Sequence, residues 1–274
     1  MNIHQLAYQA LMEANITLKL QQVDTLYSEQ KKLKISPSSY PIKTIPIPGR
    51  PSKPELISPK QLKHRKLNSE IGRANLIHAI THIEFNAINL ALDAVYRFQD
   101  MPADFYIDWL QVASEEAYHF TLLRDRLEKM GFSYGDMQAH NGLWEMTVKT
   151  DHDVLVRMAL VPRVLEARGL DVTPGMMERL EKVGDQETVD ILEIILRDEI
   201  GHVAIGSKWF HYCCEKRNLE SEATFRELLM EYMGAPLRAP FYTEARLQAG
   251  FTQQEMEQLV AMEQQWTADR KKTL

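Results

Sequence analysis

The sequence predicts an all-α protein built around a four-helix bundle with one long crossover. Three observations predict it. Apolar residues recur with a helical period in four long segments, at roughly 68–98, 103–130, 151–168 and 186–217. No stretch alternates apolar and polar residues as a strand would. The connections are unequal. "QDMPADF" joins the first two segments with a few residues, which makes them antiparallel neighbours. "FSYGDMQAHNGLWEMTVKTD" separates the second from the third. At about 3.3 Å per extended residue it is long enough to return along a bundle of about 30 Å.

The elements follow in order. Residues 1 to about 33 read as one or two amphipathic helices. "SPSSYPIKTIPIPGRPSKPELISP", residues 36–59, gathers seven of the twelve prolines, so it cannot be helical and is expected to run extended. Tyr40, Ile42, Ile45 and Ile47 give it side chains with which to dock. Gly131 follows the second long helix, Asp151 is placed to cap the third, and Gly169 to end it. Thr173 and Pro174 then read as the start of a small extra helix, Gly184 ends that one, and Asp185 caps the fourth long helix. "ATFRELLMEYM" and "TQQEMEQLVAMEQQW" add helices beyond residue 220. Three regions result: an arm over 1–59, the bundle over 60–217 and a C-terminal helical extension over 218–274, packed on the bundle.

Composition narrows the function classes. A formal net charge of -6 gives the chain as a whole no electrostatic footprint for nucleic acid. The basic stretch "PKQLKHRKLNSEIGR", with Lys60, Lys63, Arg65, Lys66 and Arg73, reads as a solvated helix face. No apolar run approaches the roughly 18 residues of a membrane span, and the N-terminus lacks a secretory pattern. Cys213 and Cys214 are adjacent, which disfavours a mutual bridge and matches no zinc spacing; they read as small buried residues of a cytoplasmic chain.

The chemistry lies in two repeats. "SEEAYHF" and "RDEIGHV" place Glu116 with His119 and Glu199 with His202 three apart, on one side of a helix. Glu84 precedes Glu116 by 32 residues, and Glu166 precedes Glu199 by 33. All six sit in apolar stripes, such as Ile77, Ile80 and Ile88 around Glu84 and Leu155, Ala159 and Pro162 around Glu166. Buried together, four carboxylates would repel one another, and two divalent cations would neutralise them. Glu84, Glu116, His119, Glu166, Glu199 and His202 are therefore the expected ligands of a di-iron site, with manganese or zinc able to substitute in the purified protein. His78 and His82 fall on another face and read as packing or polar contacts, while Tyr118, Trp209 and Phe210 read as core. Pro162, one turn before Glu166, removes a hydrogen bond and predicts a kink or bulge. Gly201 between Glu199 and His202 costs about 1 kcal/mol against alanine. Room for dioxygen or substrate and close helix packing would each account for these two residues.

The ligand set, with "HAITHIEFNAINLALDAVYRF", "DWLQVASEEAYHFTLLRDRL" and "VPRVLEARGLDVTPGM", resembles the ferritin-like di-iron carboxylate superfamily over about residues 65–217. Within it, the chain is similar to a bacterial ferritin-like family labelled as a domain of unknown function. That family is related to the tRNA hydroxylase acting on 2-methylthio-isopentenyladenosine. The resemblance implies a ferritin-like di-iron fold for that span; with the elements read above, the expected architecture is a ferritin-like four-helix bundle with one long crossover, an N-terminal helical and Pro-rich arm and extra C-terminal helices. It implies that Asp198 and Glu115, each preceding a ligand Glu, bond the far nitrogen of a ligand histidine and orient its ring; the fit is better for Asp198, and a surface ion pair is an equal reading for Glu115.

The expected activity is that of an oxygen-dependent non-haem di-iron hydroxylase or oxidase, using O2, an external electron donor and an organic substrate that the sequence does not specify. A modified tRNA nucleoside enters by family kinship alone, and fold does not fix function. The alternative is an iron-handling protein with ferroxidase or peroxide-scavenging activity. A cage-forming ferritin subunit is shorter and lacks the arm, the wrapped crossover and the C-terminal helices, which leans against storage.

Overall fold

The computed structural model describes residues 2–36, 42–62 and 66–273, so Tyr40, Lys63 and Arg65 lie outside the described residues. Among these residues the regular elements are helical, with two isolated bridges, Asn2 to Lys34 and Leu56 to Ala139. The chain divides into two compact units, Met1–Asp151 with Arg179–Ile191, and His152–Glu178 with Leu192–Leu274.

In the first unit, α1 (Ile3–Met12) and α2 (Ile16–Glu29) are capped by Asn2 and Asn15, whose side chains accept from first-turn amides. The long helix α3 (Glu70–Arg97) starts at Ser69, which accepts from Gly72 N. The helix α4 (Ala103–Lys129) carries Asp104 in its first turn and Arg126 and Lys129 in its last, complementing the helix dipole. It closes on Gly131 at φ +78°, with Phe132 N donating to Leu127 O and Gly131 N to Glu128 O. This is the paired bonding that a left-handed glycine permits at a helix end. Phe98 meets Phe105 and Phe85 meets Phe120, so positions along α3 fall as those along α4 rise: the two are antiparallel, as their short connection requires.

The buried ammonium of Lys19 joins α1 and α2 to α3. It donates to Ala10 O, Leu11 O and Asn89 Oδ1 at 2.6–2.9 Å. Burial lowers its pKa to about 7, with Glu13 opposing. The proline-rich arm docks as expected. Trp144 Nε1 donates to Ile45 O and Pro46 O, Ile57 N donates to Ala139 O, and Ala139 N donates to Glu55 O. Ile45 is buried, whereas Ile42 and Ile47 are exposed. The crossover holds a helix that periodicity did not reveal, α5 (Gly142–Lys149), anchored by the buried Trp144. The basic stretch at 59–73 is not the helix face expected. Its described part is one 3-10 turn, Pro59–Gln61, followed by a turn, and helix begins only at Glu70.

Asp185 closes this unit. Its carboxylate accepts from Thr188 N and Oγ1 and pairs with Arg126 at 2.8 Å and Arg73 at 3.4 Å. Burial pushes its pKa up, but the bonds from Thr188 and Arg126 outweigh this and hold it below the usual carboxylate value. A lowered carboxylate pKa contributes stability that is present above the unfolded value and is lost as pH falls through the folded one. Asp185→Asn is therefore expected to destabilise by about 1–2 kcal/mol at neutral pH and to flatten the acid limb of the melting profile. Identical acid profiles for both proteins would refute this.

In the second unit the third long segment departs from expectation. Asp153, not Asp151, caps α6 (Val154–Leu160), accepting from Leu155 N, and it also binds Arg217. Asp151 instead accepts from Thr44 in the first unit, where it lies 3.5 Å from Arg97. A π-helical turn, Val161–Glu166, follows α6, and α7 (Ala167–Glu181) continues directly through Gly169, Thr173 and Pro174. Tertiary burial explains why the helix does not stop at Gly169. Ala167, Leu170, Asp171 and Thr173 are all buried, and Arg246 of the helix α10 (Thr243–Gln248) binds Asp171 through two bonds of 2.8–2.9 Å. The helix α8 (Gln186–Lys216) carries the buried, free Cys213 and Cys214. The C-terminal helices α9 (Ser221–Met233) and α11 (Gln253–Thr273) bury Phe225, Leu229, Met256 and Leu259. No helix is long and apolar enough to cross a membrane among the described residues.

Candidate metal centre

In the first unit three of the sequence-derived ligands come together. Glu84 sits near the middle of α3, and Glu116 and His119 lie one turn apart on α4; all three are buried. Antiparallel packing brings the two helices to the same level. His119 Nδ1 lies 3.4 Å from Glu84 Oε2 and 3.6 Å from Glu116 Oε2. One ligand atom from each of the three lies within 4.8 Å of the others, a separation that a single ion can span.

The electrostatics of this trio state a need for positive charge. Burial and the neighbouring Glu116 carboxylate raise the Glu84 pKa well above its ordinary range, with His119 pulling the other way. Burial pulls His119 down, but its bonds to Glu116 and Glu84 dominate and lift it to about 11. Protons held on the imidazole and a carboxyl thus balance the buried charge. A divalent cation bound to the same oxygens and nitrogen would displace them. The donor set fits a metal that accepts mixed oxygen and imidazole ligands, such as iron, manganese or zinc.

The second unit holds the other three. Glu166 is buried at the last position of the π-helical turn. On α8, His202 is buried and its Nδ1 lies 3.6 Å from Glu199 Oε1, repeating the one-turn pairing of Glu116 and His119. Glu115 accepts from Gln111 Nε2 at 3.0 Å, and Asp198 from Arg197 Nε at 2.9 Å.

Other sequence readings resolve clearly. His78 and His82 lie away from the trio. His78 Nε2 accepts from Gly135 N, and His82 Nδ1 meets Tyr134 Oη at 2.8 Å, so both brace α3 against the crossover. Burial lowers their pKa values to about 4 and about 3, keeping both neutral. Trp209 and Phe210 are core, but Tyr118 is half exposed, because it falls on the outward side of α4. Gly201 is exposed, with open space where a Cβ would stand, so close packing does not explain it.

The fold and the site define an all-α protein with a buried carboxylate–histidine cluster at metal-ligand distances. The chain belongs to the family described as "Protein of unknown function (DUF455)", whose model matches residues 12–257. It is 49% identical over 225 residues to an "Uncharacterized protein" of Haemophilus influenzae, covering 80% of this chain and 78% of that one. No solved structure matches it.

Proposed function

We propose that the protein is an oxygen-dependent non-haem di-iron hydroxylase or oxidase on a ferritin-like four-helix bundle. In this reading Glu84, Glu116, His119, Glu166, Glu199 and His202 together ligate two iron ions. The observation that carries it is the buried trio of Glu84, Glu116 and His119, whose ligand atoms lie within 4.8 Å. The repeat of its spacing by Glu166, Glu199 and His202 supports a second ion. When bound, the iron pair would supply the redox chemistry of O2, with electrons from an external donor. The chain's own part is to hold the ligands. Their carboxylates and imidazoles serve as ligands, not general bases. Glu84, Glu116, His119 and His202 are themselves buried, which keeps bulk water from the ligands. The organic substrate is unassigned, with a modified tRNA nucleoside entering only through family kinship. The bundle spans 60–217, flanked by the arm at 1–59 and the extension at 218–274, and the buried free cysteines suit a reducing cytoplasm.

The test is metal stoichiometry followed by iron titration. The purified protein is expected to hold about two metal ions per chain. Anaerobic reduction and admission of O2 should oxidise the bound iron in a single turnover, and Fe(II) beyond about two per chain should not be taken up. Absence of metal after iron-replete expression would overturn the reading. Continued uptake to many irons per chain in a high-mass oligomer would instead establish the iron-handling alternative.

A further inference from the structure

Arg163 is fully buried, three residues before Glu166 and inside the π-helical turn. Its guanidinium pairs with Glu255 and lies 4.3–4.9 Å from the ring centres of Phe251, Phe225 and Phe210. Glu255 has a second task. Its Oε2 accepts from Thr252 N while its own N donates to Thr252 Oγ1, the reciprocal cap that starts α11. One carboxylate therefore ties the turn beside Glu166 to the first residues of the last helix.

That turn decides where Glu166 points. A π-helical turn holds one residue more than an α-helical one, and one residue is about 100° of rotation. Pro162 removes an amide donor at its start, which favours the wider turn but does not fix it. Gly206 on α8 leaves the space that Pro162 fills, since a Cβ there would overlap the proline Cβ and Cγ. Such turns persist where the surrounding structure holds them. A buried cation inside an aromatic box, paired to a capped helix, is a hold of that kind.

We propose that Arg163 is a positioning residue: anchored by Glu255 and boxed by Phe210, Phe225 and Phe251, it holds the turn Val161–Glu166 in its π-helical form and so sets the direction from which Glu166 meets the metal. This makes the C-terminal helices part of the metal site. The role rests on the di-metal reading, and its test separates the two. Arg163→Met, Arg163→Lys and Glu255→Gln are titrated with Co(II) alone, alongside the wild type and Lys19→Met, a destabilised control away from the turn. Arg163→Met should stay helical, bind its weaker Co(II) at least about tenfold less tightly and show an altered d–d spectrum. Arg163→Lys and Glu255→Gln, which each keep part of the anchor, should fall between it and the wild type. Lys19→Met should keep the wild-type titration and spectrum despite its lower melting temperature. Amide exchange over 161–167 in the metal-free proteins should accelerate in Arg163→Met and not in Lys19→Met. Wild-type Co(II) affinity, spectrum and exchange in Arg163→Met would overturn the positioning role while leaving the di-metal reading intact. A wild type that binds no Co(II) would overturn the di-metal reading, and the ligand-presenting role with it.

Discussion

Glu116→Ala is expected to lose most of its bound metal, and Glu199→Ala to do the same. Glu116 is completely buried; its carboxylate lies 3.6 Å from His119 Nδ1 and raises the pKa of Glu84. Alanine leaves two donors where there were three and removes one of the negative charges that make the pocket attract a cation. Glu199 is paired with His202 as Glu116 is with His119, so its loss should cost the second half of the site as much. The measurement is elemental analysis after gel filtration, with circular dichroism showing that the helices survive. Full retention of metal in either variant would show that the ligands are misassigned. The same electrostatics give the pH dependence a sign. In the metal-free chain His119 holds its proton to about pH 11 and Glu84 titrates above the usual carboxylate range. Metal uptake must therefore release protons, and affinity should fall as pH is lowered. An affinity that stays constant between about pH 6 and about pH 8 would contradict this.

Lys19→Met is expected to cost about 3 kcal/mol of stability. The ammonium uses all three of its donors on Ala10 O, Leu11 O and Asn89 Oδ1, with none of it exposed. Each bond from a charged donor contributes about 1.5–3 kcal/mol, and methionine replaces none of them. Two effects reduce the loss. Ala10 O and Leu11 O each keep another donor, from Glu13 N and Gly49 N, and the substitution removes the cost of burying a charge. What remains is a buried Asn89 oxygen stripped of its partner and an N-terminal hairpin that has lost one of its polar ties to α3 and keeps another, the bond between His4 Nδ1 and Val95 O. The melting temperature should fall by about 10 °C in a chain of this size. An unchanged melt would show that the hairpin is held by its apolar contacts, Ile3, Ala7 and Leu11, without help from Lys19.

The expectations that held have local causes. Helical periodicity located α3, α4 and α8 to within a few residues, because each buries one long stripe and each carries its own signals: Ser69 before α3, Gly131 after α4, Asp185 before α8. The pairing of Glu84 with Glu116 and His119 was legible for the same reason. A short connection forces antiparallel packing, and a spacing of three puts both α4 side chains on one side. The misreadings also have causes. Gly169, Thr173 and Pro174 are genuine stop and start signals, yet α7 runs through them, because burial of Leu170 and the bonds from Arg246 to Asp171 reward a continuous helix. Asp151 and Asp153 are equally good caps in isolation, and only their partners, Thr44 and Arg97 for one and Arg217 for the other, separate them.

By itself the sequence determined the all-helical class, the repeat of Glu and Glu-x-x-His, and the pairing of Glu116 with His119 and of Glu199 with His202 one turn away, since these depend on period and spacing alone. Only the tertiary structure decided the path between Leu160 and Ala167. Pro162 announces a break there, but a break can be a kink, a stop or a wider turn, and these leave Glu166 facing different ways. The stripe of Leu155, Ala159 and Pro162 follows α-helical spacing, and the extra residue of the π-helical turn shifts Glu166 off its line by about 100°. The residues that hold this turn, Gly206, Phe210, Phe225, Phe251 and Glu255, stand 40 to 89 positions further along the chain, where no local pattern connects them to it. Local pattern can mark a residue as a ligand, but the direction of its side chain follows from packing between segments that meet only when the chain has folded.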